Sequence, residues 1–466
     1  MKKSINLKSL LASDFRNTFL NSLWSIVKGP VTAILIPLFL TEIMQGYWYT
    51  FASLTALSIL ADLGFSTIVG QFSAHEYAYL KLEKGKFTGE EDHLVRLASL
   101  LKYVFKWSCI VSLIAFPIIF GVGVSVIKTD ETSVGINWFV PWILCVATSS
   151  VNFIMSIVLS FFEGCGQLGK IQNNRLIGNI ITTGVIWALL SLKLNLYALS
   201  LGSLAGLIIN LGLLLVIFGK PIIKLIRVKN TKAYKWNKAF LNLIWRYAIS
   251  FACGYLIFQV YTPLAFYFYG PIVSGKVGIT MALCQACFTL ANVWITVMIP
   301  KINMSAAKKD WGRMDNLLKR NIVLSVCSML LCMVIGTIML LSLKGKWDIV
   351  DRFMSYPAIM ILLSAWLFQI IINAIAVYGR AHKREPFMIP SILCSIFSFI
   401  STYLLIKFLP SDYMFLGFTC TNFVFVFVFY FIYHKSKNKW HDELSLEIDK
   451  EEIINKKTQI DATSNV

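Results

Sequence analysis

Twelve apolar runs, each long enough to cross a bilayer, constrain this chain more than any other feature. A membrane-spanning helix needs about 20 predominantly apolar residues. Such runs fall at 17–41, 46–70, 100–126, 137–162, 175–193, 196–219, 241–264, 276–300, 320–343, 354–378, 386–408 and 412–434. They occupy more than half of the 466 residues. Only short loops and two tails remain, with no room for a sizeable soluble domain. The runs are continuous rather than alternating, which excludes an outer-membrane-type barrel. Composition agrees: 57% of residues are hydrophobic and 14% charged, against roughly 45–50% and about 25% in soluble domains. Mean hydropathy is +0.68. The first run is long and no small-residue cleavage site closes it, so no cleavable signal peptide is expected.

The net charge of +19 invites a nucleic-acid reading, but its distribution argues for membrane topology. With a cytoplasmic N-terminus, the inside segments hold 35 of the 43 Lys and Arg residues and the outside loops hold seven. Lys28 is left inside a span. Basic residues gather in cytoplasmic loops of membrane proteins, so both termini are expected in the cytoplasm and no nucleic acid is implied. The ten cysteines are scattered, mostly inside spans, and read as small buried hydrophobes.

The runs group into two sets of six. The expected organisation is a cytoplasmic segment 1–16, a six-helix bundle 17–219, a basic linker 220–240, a second bundle 241–434 and a cytoplasmic tail 435–466. The fold class is therefore an all-α integral membrane protein, with about 12 transmembrane helices in two pseudo-symmetric bundles around a central cavity. Weak internal similarity supports the repeat: 71–75 and 301–306 occupy corresponding places, and both fourth spans end in Gly and a basic turn. Paired six-helix halves are a common transporter plan, with substrate bound between them. The tail reads as solvated or partly disordered. Residues 71–99 read as an interfacial amphipathic helix.

Three short motifs carry no chemistry here. Gly164-Cys165-Gly166-Gln167-Leu168-Gly169 has the G-x-G-x-x-G spacing of a dinucleotide loop, but follows a membrane helix instead of a strand. Cys284-Gln285-Ala286-Cys287 lies mid-span with no second pair and no His nearby. The sequon at Asn303 falls on the expected cytoplasmic side.

The informative residues are polar ones inside spans, which are costly and tend to face a cavity or partner. In the first span Asn17, Asn21, Ser25, Lys28 and Thr32 recur at helical spacing on one face. Pro30 and Pro37 should bend or loosen that helix. Lys28, at mid-span depth, reads as an anion contact, with snorkelling or a structural pair as the alternative. Asp62 is the acid within the second span. Pairing with a basic residue and carrying a coupling ion weigh about equally. In the seventh span Arg246 follows Asn242 by four, and suits either bidentate phosphate binding or a helix-end anchor. Gln285 and Asn292 share a face of the eighth span with Thr289 and Thr296. Gln369 and Asn373 lie in the tenth. These amides either tie helices together or, with Trp294 and Trp366, bind sugars. The stripes fall on spans one and two and on spans seven and eight, which correspond between the halves. They suggest a cationic, hydrogen-bonding cavity for an anionic head group.

Asp62-Leu63-Gly64-Phe65-Ser66-Thr67 is similar to the "D-[LF]-G-[LF]-x-T" signature at the end of the second span in polysaccharide flippases. These are the O-antigen or Wzx type of the multidrug/oligosaccharidyl-lipid/polysaccharide superfamily. Gly46-Tyr47-Trp48-Tyr49-Thr50-Phe51, Gln71-Phe72-Ser73-Ala74-His75-Glu76, and the Phe162-Glu163-Gly164 and Tyr378-Gly379 turns also resemble that family. The resemblance spans residues 10–434, and it departs from the family at Gln71, where many members have Arg. It implies a bacterial inner-membrane flippase, not an enzyme. Its substrate would be an undecaprenyl-diphosphate-linked oligosaccharide, an O-antigen or related repeat unit, moved from the cytoplasmic to the periplasmic leaflet by alternating access. Lys28 occupies the region of the family's first-span basic residue. Lys28 and Arg246 would hold the diphosphate, with Asn21, Gln285, Asn292, Gln369 and Asn373 lining the cavity. Asp62 would tune them or carry H+ or Na+. No cofactor is implied. The partners are the lipid-linked substrate and the bilayer, and other polysaccharide-assembly membrane proteins are candidates. The alternatives are an ion-coupled small-molecule exporter of the same superfamily, and a membrane polysaccharide polymerase or ligase. The second would need a larger reactive external loop than the ten-residue loops near 127–136 and 344–353.

Overall fold

The computed structural model describes residues 7–83, 85–127, 135–228, 234, 236–343, 345–382 and 386–464. All twelve runs are helical within those residues. The helices are α1 (Leu7–Phe39), α2 (Glu42–Thr55), α3 (Ser58–Asp62), α4 (Phe65–Tyr77), α5 (Glu91–Ile127), α6 (Phe139–Gly164), α7 (Leu168–Ser191) and α8 (Tyr197–Arg227). They continue with α9 (Trp236–Phe258), α10 (Tyr261–Ala307), α11 (Trp311–Leu343), α12 (Tyr356–Arg380), α13 (Met388–Phe408) and α14 (Leu416–Ser464). The second run is thus divided into α2, α3 and α4, and α10 is interrupted at Gly270, where φ is 81°. Among the described residues eight helices are long and apolar enough to cross a membrane, or nine when the bent run 42–77 counts as one. The residues of α9 from Phe251 are counted with α10 in one of the eight, α1 contributes a shorter apolar stretch, Leu23–Phe39, and α7 is not among them.

The chain forms two compact units, Met1–Ala282 and Leu283–Val466. The first buries an aromatic core. Phe65 stacks on Trp107 with ring centroids 3.6 Å apart, Phe51 meets Trp142 at 5.1 Å, and Phe162 stacks on Phe218 at 4.3 Å. Within this unit α2 lies against the part of α10 that follows Gly270. The contact depends on missing side chains: a Cβ on Gly46 would sit 1.9 Å from the Pro271 carbonyl oxygen, and one on Gly278 would meet Tyr49 at 2.3 Å. Buried hydrogen bonds hold the seam. Gln45 Nε2 donates to the Gly275 carbonyl at 2.9 Å, and the hydroxyls of Thr50 and Ser274 lie 3.0 Å apart. Close approach over small residues with polar cross-links is how helices associate where lipid offers no hydrophobic drive.

Residues 71–99 do not form the single interfacial helix expected. α4 ends at Tyr77, and an antiparallel hairpin follows, β1 (Leu80–Glu83) and β2 (Lys86–Gly89), paired from Leu80↔Gly89 to Glu83↔Lys86. Gly85 in the turn and Gly89 both have positive φ; a Cβ on Gly89 would lie 2.4 Å from the Tyr79 carbonyl oxygen. Apolar spacing resembling a helix face is instead satisfied by burying Leu80 and Phe87. His93 Nδ1 lies 2.7 Å from the buried Glu76 carboxylate and the ring stacks on Tyr79 at 4.0 Å.

In the second unit the last helix continues without a break into the segment expected to be solvated. Trp440 and His441 are buried. The Tyr378 hydroxyl donates to Asp315 Oδ1 at 2.7 Å, so it accepts from His441 Nε2 at 2.9 Å. Lys437 completes the cluster as an ion-pair partner of Asp315, and Trp311 stacks on His441 at 4.3 Å. The reading of 435–466 as solvated fails over its first turns, because these residues satisfy polar groups at the ends of α11 and α12.

His382, just past α12, is buried in the same cluster. Its Nδ1–H donates to the Tyr378 carbonyl at 3.0 Å, which leaves Nε2 buried without a partner. A proton on Nε2 would have no acceptor, and burial pushes this imidazole down to about 4. The unfolded chain takes up that proton near pH 6.5 and the folded chain does not, so the His382 contribution is present above pH 6.5 and lost as pH falls toward 4. We predict that Tm in detergent declines between pH 6.5 and 5, and that His382→Gln makes the decline shallower. An equal slope in the variant would show that His382 is not the group responsible. At the α2–α10 seam, Gly46→Val should cost about 1–3 kcal/mol by overpacking. Gly121→Ala, at an open helical position, should be neutral or stabilise slightly. Thermal melts of the two variants check the contrast.

Candidate functional site

The polar stripe of α1 faces α7, and the two helices are joined along it. Asn17 Nδ2 donates to the Gly169 carbonyl at 3.0 Å. Asn21 donates to Gln172 Oε1 at 3.0 Å and accepts from Asn179 Nδ2 at 3.1 Å. The Trp187 indole donates to Thr32 Oγ1 at 3.0 Å, and that hydroxyl donates to the Lys28 carbonyl at 2.7 Å. Asn21 therefore works as helix glue in this geometry, with both ends of its amide engaged.

Lys28 differs from its neighbours on the stripe. It is half-buried, and among the described residues its ammonium has no hydrogen-bond or ion-pair partner. It stands two residues before Pro30, which removes a backbone donor from the ladder in that turn. An unneutralised cation on a membrane helix is costly. Its position is tolerable where an anion or water can reach it.

Asp62 sits at the break between α3 and α4. Leu63 (φ 47°) and Gly64 (φ 73°) are both left-handed, and the run bends by 44° there. The break frees the first amides of α4. The Asp62 carboxylate takes the Ser66 N–H at 3.1 Å and the Ser66 hydroxyl at 2.8 Å. A side-chain acceptor at a helix start satisfies donors that have no partner in the helix itself. The ion-pair alternative is not realised, since no cation lies within ion-pair distance of Asp62 among the described residues. The left-handed pair turns the carboxylate onto its own chain. Leu63 at positive φ is uncommon for a branched side chain, while Gly64 is suited to it.

In the second unit Asn373 Nδ2 on α12 donates to Asn292 Oδ1 on α10 at 2.8 Å, so these two amides are brought together. Gln285 is exposed and Gln369 half-buried, with Gln369 Oε1 enclosed and without a partner. Trp366 is buried between Phe288, at 4.8 Å, and Phe418, at 6.2 Å. It cannot offer a face to a sugar; its size made it the natural core of this unit. Trp294 is 41% exposed and its indole donates to Ser328 Oγ at 2.9 Å. The side chain of Arg246 lies outside the described residues.

The turns that carry the remaining motifs are structural. Glu163 pairs with Arg175 at 3.1 Å, and a Cβ on Gly164 would fall 2.1 Å from Ser73 Oγ. Gly379 is packed against Phe387. The G-x-G-x-x-G segment forms the α6–α7 turn. Sequence reasoning missed the Asp315–Tyr378–His441 cluster, and only the Tyr378-Gly379 turn hinted at it.

No family model matches the sequence, and no curated relative matches it. The fold does match solved structures. The lipid II flippase MurJ in an inward closed conformation aligns with a TM-score of 0.61 at 13% identity, over 94% of this chain and 90% of MurJ. A multidrug resistance MATE family transporter of the MOP superfamily, inward-facing, aligns at 0.55 and 12% identity, over 89% and 99%. The Vibrio cholerae MATE transporter VcmN, as a point mutant, aligns at 0.54 and 12% identity, over 93% and 99%. The chain therefore has the helical membrane fold of these transporters.

The cap assignment makes a specific prediction. Asp62→Ala should lower stability by about 0.5–2 kcal/mol, the range for losing an N-terminal cap. Asp62→Asn, which keeps one acceptor, should cost less. Equal melts for wild type and Asp62→Ala would remove the cap.

Proposed function

We propose that this protein is a flippase for a lipid-linked oligosaccharide whose head group is an anionic diphosphate. The observation that carries the reading is Lys28, half-buried with its ammonium unmatched by the described residues, on a helix of a fold shared with a lipid II flippase. Charge in a membrane protein marks the path of what it moves. A diphosphate supplies the missing counter-charge, and Lys28 would hold it as a point cation. Arg246 is the proposed second cation. The exposed Gln285 and the Asn292–Asn373 pair supply hydrogen-bonding groups suited to a glycan.

Transport requires no covalent chemistry. Binding in one conformation and release in another moves the head group, while the apolar tail stays in lipid. Alternating access through a two-lobed fold fits this requirement. Asp62 is the proposed site for H+ or Na+ coupling only if its cap to Ser66 opens during the cycle. Otherwise consumption of substrate on the far side drives the process. The loop charges support cytoplasmic termini, and placement in the bacterial inner membrane is what the resemblance to polysaccharide flippases implies. A small-molecule exporter would need an acid available to cationic drugs, and the one placed in the second span is engaged with its own helix.

In the source bacterium, deletion of the gene should accumulate complete single repeat units on the cytoplasmic face of the membrane. Accumulation on the periplasmic face would mean a polymerase or ligase, and normal glycan with altered drug tolerance would mean an exporter. Lys28→Ala should reduce surface polysaccharide at least tenfold at unchanged protein level, with Lys28→Arg retaining part. Normal polysaccharide in Lys28→Ala would remove Lys28 from the site.

A further inference from the structure

Three residues join α10 to α11 in the second unit, and the turn they make is tightly determined. Lys309 is left-handed, with φ 56°. Its amide donates to the Ala306 carbonyl at 3.1 Å, and the Asp310 amide donates to the Ser305 carbonyl at 2.9 Å. A left-handed residue with that pair of bonds satisfies the last carbonyls of a helix and ends it. Asp310 then opens α11, because its Oδ1 accepts the Arg313 amide at 3.1 Å, as a capping acid does. One residue thus closes one helix and caps the next. The end of α10 and the start of α11 are held in a single arrangement.

A recess of about 50 Å³ lies against this turn, lined by Lys301, Met304, Ser305, Lys308, Asp310 and Arg313. Three cations against one acid leave the lining with a net charge of +2. The side chains of Lys301, Lys308 and Arg313 have no hydrogen-bond or ion-pair partner among the described residues. Ser305 is 4% exposed, and its hydroxyl has no partner among them either. A buried hydroxyl normally finds an acceptor, and within a helix the carbonyl four residues back is the usual one. Ser305 makes no such bond. The excess of basic residues in one set of loops explains why cations occur in this segment. It does not explain why three of them converge, unpaired, on a recess that also holds an unused hydroxyl.

Size and charge restrict what fits. One water takes about 10–15 Å³ of such space, so the recess holds roughly four water-sized atoms. That is the oxygen count of a phosphoryl group and too little for a sugar or aromatic ring. A phosphomonoester carries about −1.5 to −2 charges at pH 7, which the lining balances, whereas a carboxylate leaves about half of it unmet. We propose that the α10–α11 recess binds the phosphoryl group of a phosphomonoester. Arg313 takes two of its oxygens with the guanidinium fork, Lys301 and Lys308 act as point cations, and the Ser305 hydroxyl donates to it. Asp310 stays on its own helix and holds the turn. The site is independent of Lys28 and of which substrate the protein moves. A lipid head group and a soluble phosphate both present this chemistry.

The test is a phosphorus NMR titration of the full-length protein in detergent, with inorganic phosphate and dioctanoyl phosphatidic acid as separate probes. We expect both to bind, and Lys301→Gln combined with Arg313→Gln to weaken both at least tenfold at an unchanged melting temperature. Ser305→Ala should weaken both at least threefold. Lys319 and Arg320, exposed cations of the same basic segment that do not line the recess, provide the charge control: replacing both with Gln should leave the affinities within twofold. Lys28→Ala should leave them unchanged as well, which separates this site from the proposed transport cation. Phosphatidic acid binding at least tenfold more tightly than phosphate would assign the site to a lipid head group, and a smaller difference would assign it to a soluble phosphate. Unchanged binding in either recess variant, an equal loss in the Lys319 and Arg320 control, or loss in Lys28→Ala would overturn it.

Discussion

Backbone hydrogen bonding in a medium without water governs this structure. Every amide that leaves a helix within the membrane must find another partner. The second run leaves its helix at Leu63 and Gly64, and Asp62 supplies the acceptor for the amide that results. The bend follows from the two left-handed residues, and the bend is tolerable because of the carboxylate. A sequence signature that reads as a charged functional site is, in this conformation, the means by which a membrane helix is broken and restarted.

The same rule explains how polar helices fit in a bilayer. α7 is not among the helices apolar enough for a free span, yet the amides and indole of α1 and α7 pair with one another along one seam. Asn17, Asn21 and Thr32 on one helix meet Gly169, Gln172, Asn179 and Trp187 on the other. Against that matched background Lys28 stands out, because neither its own stripe nor α7 supplies it with a counter-charge among the described residues. Lys28 is the charged group of that seam left unmatched among the described residues, as Trp24 Nε1 is a neutral donor left unmatched.

Much of this was readable from the chain. Hydropathy places all twelve helical segments, because continuous apolar length has few other uses. The stripe on α1 follows from spacing alone. What such spacing cannot reveal is which neighbour a stripe meets. Asn21 was read as lining the cavity, and the positions of Gln172 and Asn179 place its amide in a seam between helices. Spacing alone did not show that the Asp62 carboxylate turns back onto Ser66, four residues away, through a backbone conformation that Leu63 does not advertise. The hairpin at 80–89 was hidden by apolar spacing compatible with a helix. Trp440 and His441 were hidden in a mixed-charge tail, since their burial depends on Tyr378 and Asp315, more than 60 residues earlier.

The central claim is that Lys28 serves an anionic, lipid-linked head group in transit between leaflets. The most direct measurement reconstitutes the purified protein in liposomes carrying a fluorescent polyprenyl-diphosphate oligosaccharide and follows its accessibility to a membrane-impermeant quencher. The account predicts that wild-type protein equilibrates the lipid between leaflets and that Lys28→Ala, at equal incorporation, slows this at least tenfold. Equal rates for the two proteins, or no exchange above empty liposomes alongside transport of a cationic drug, would contradict it.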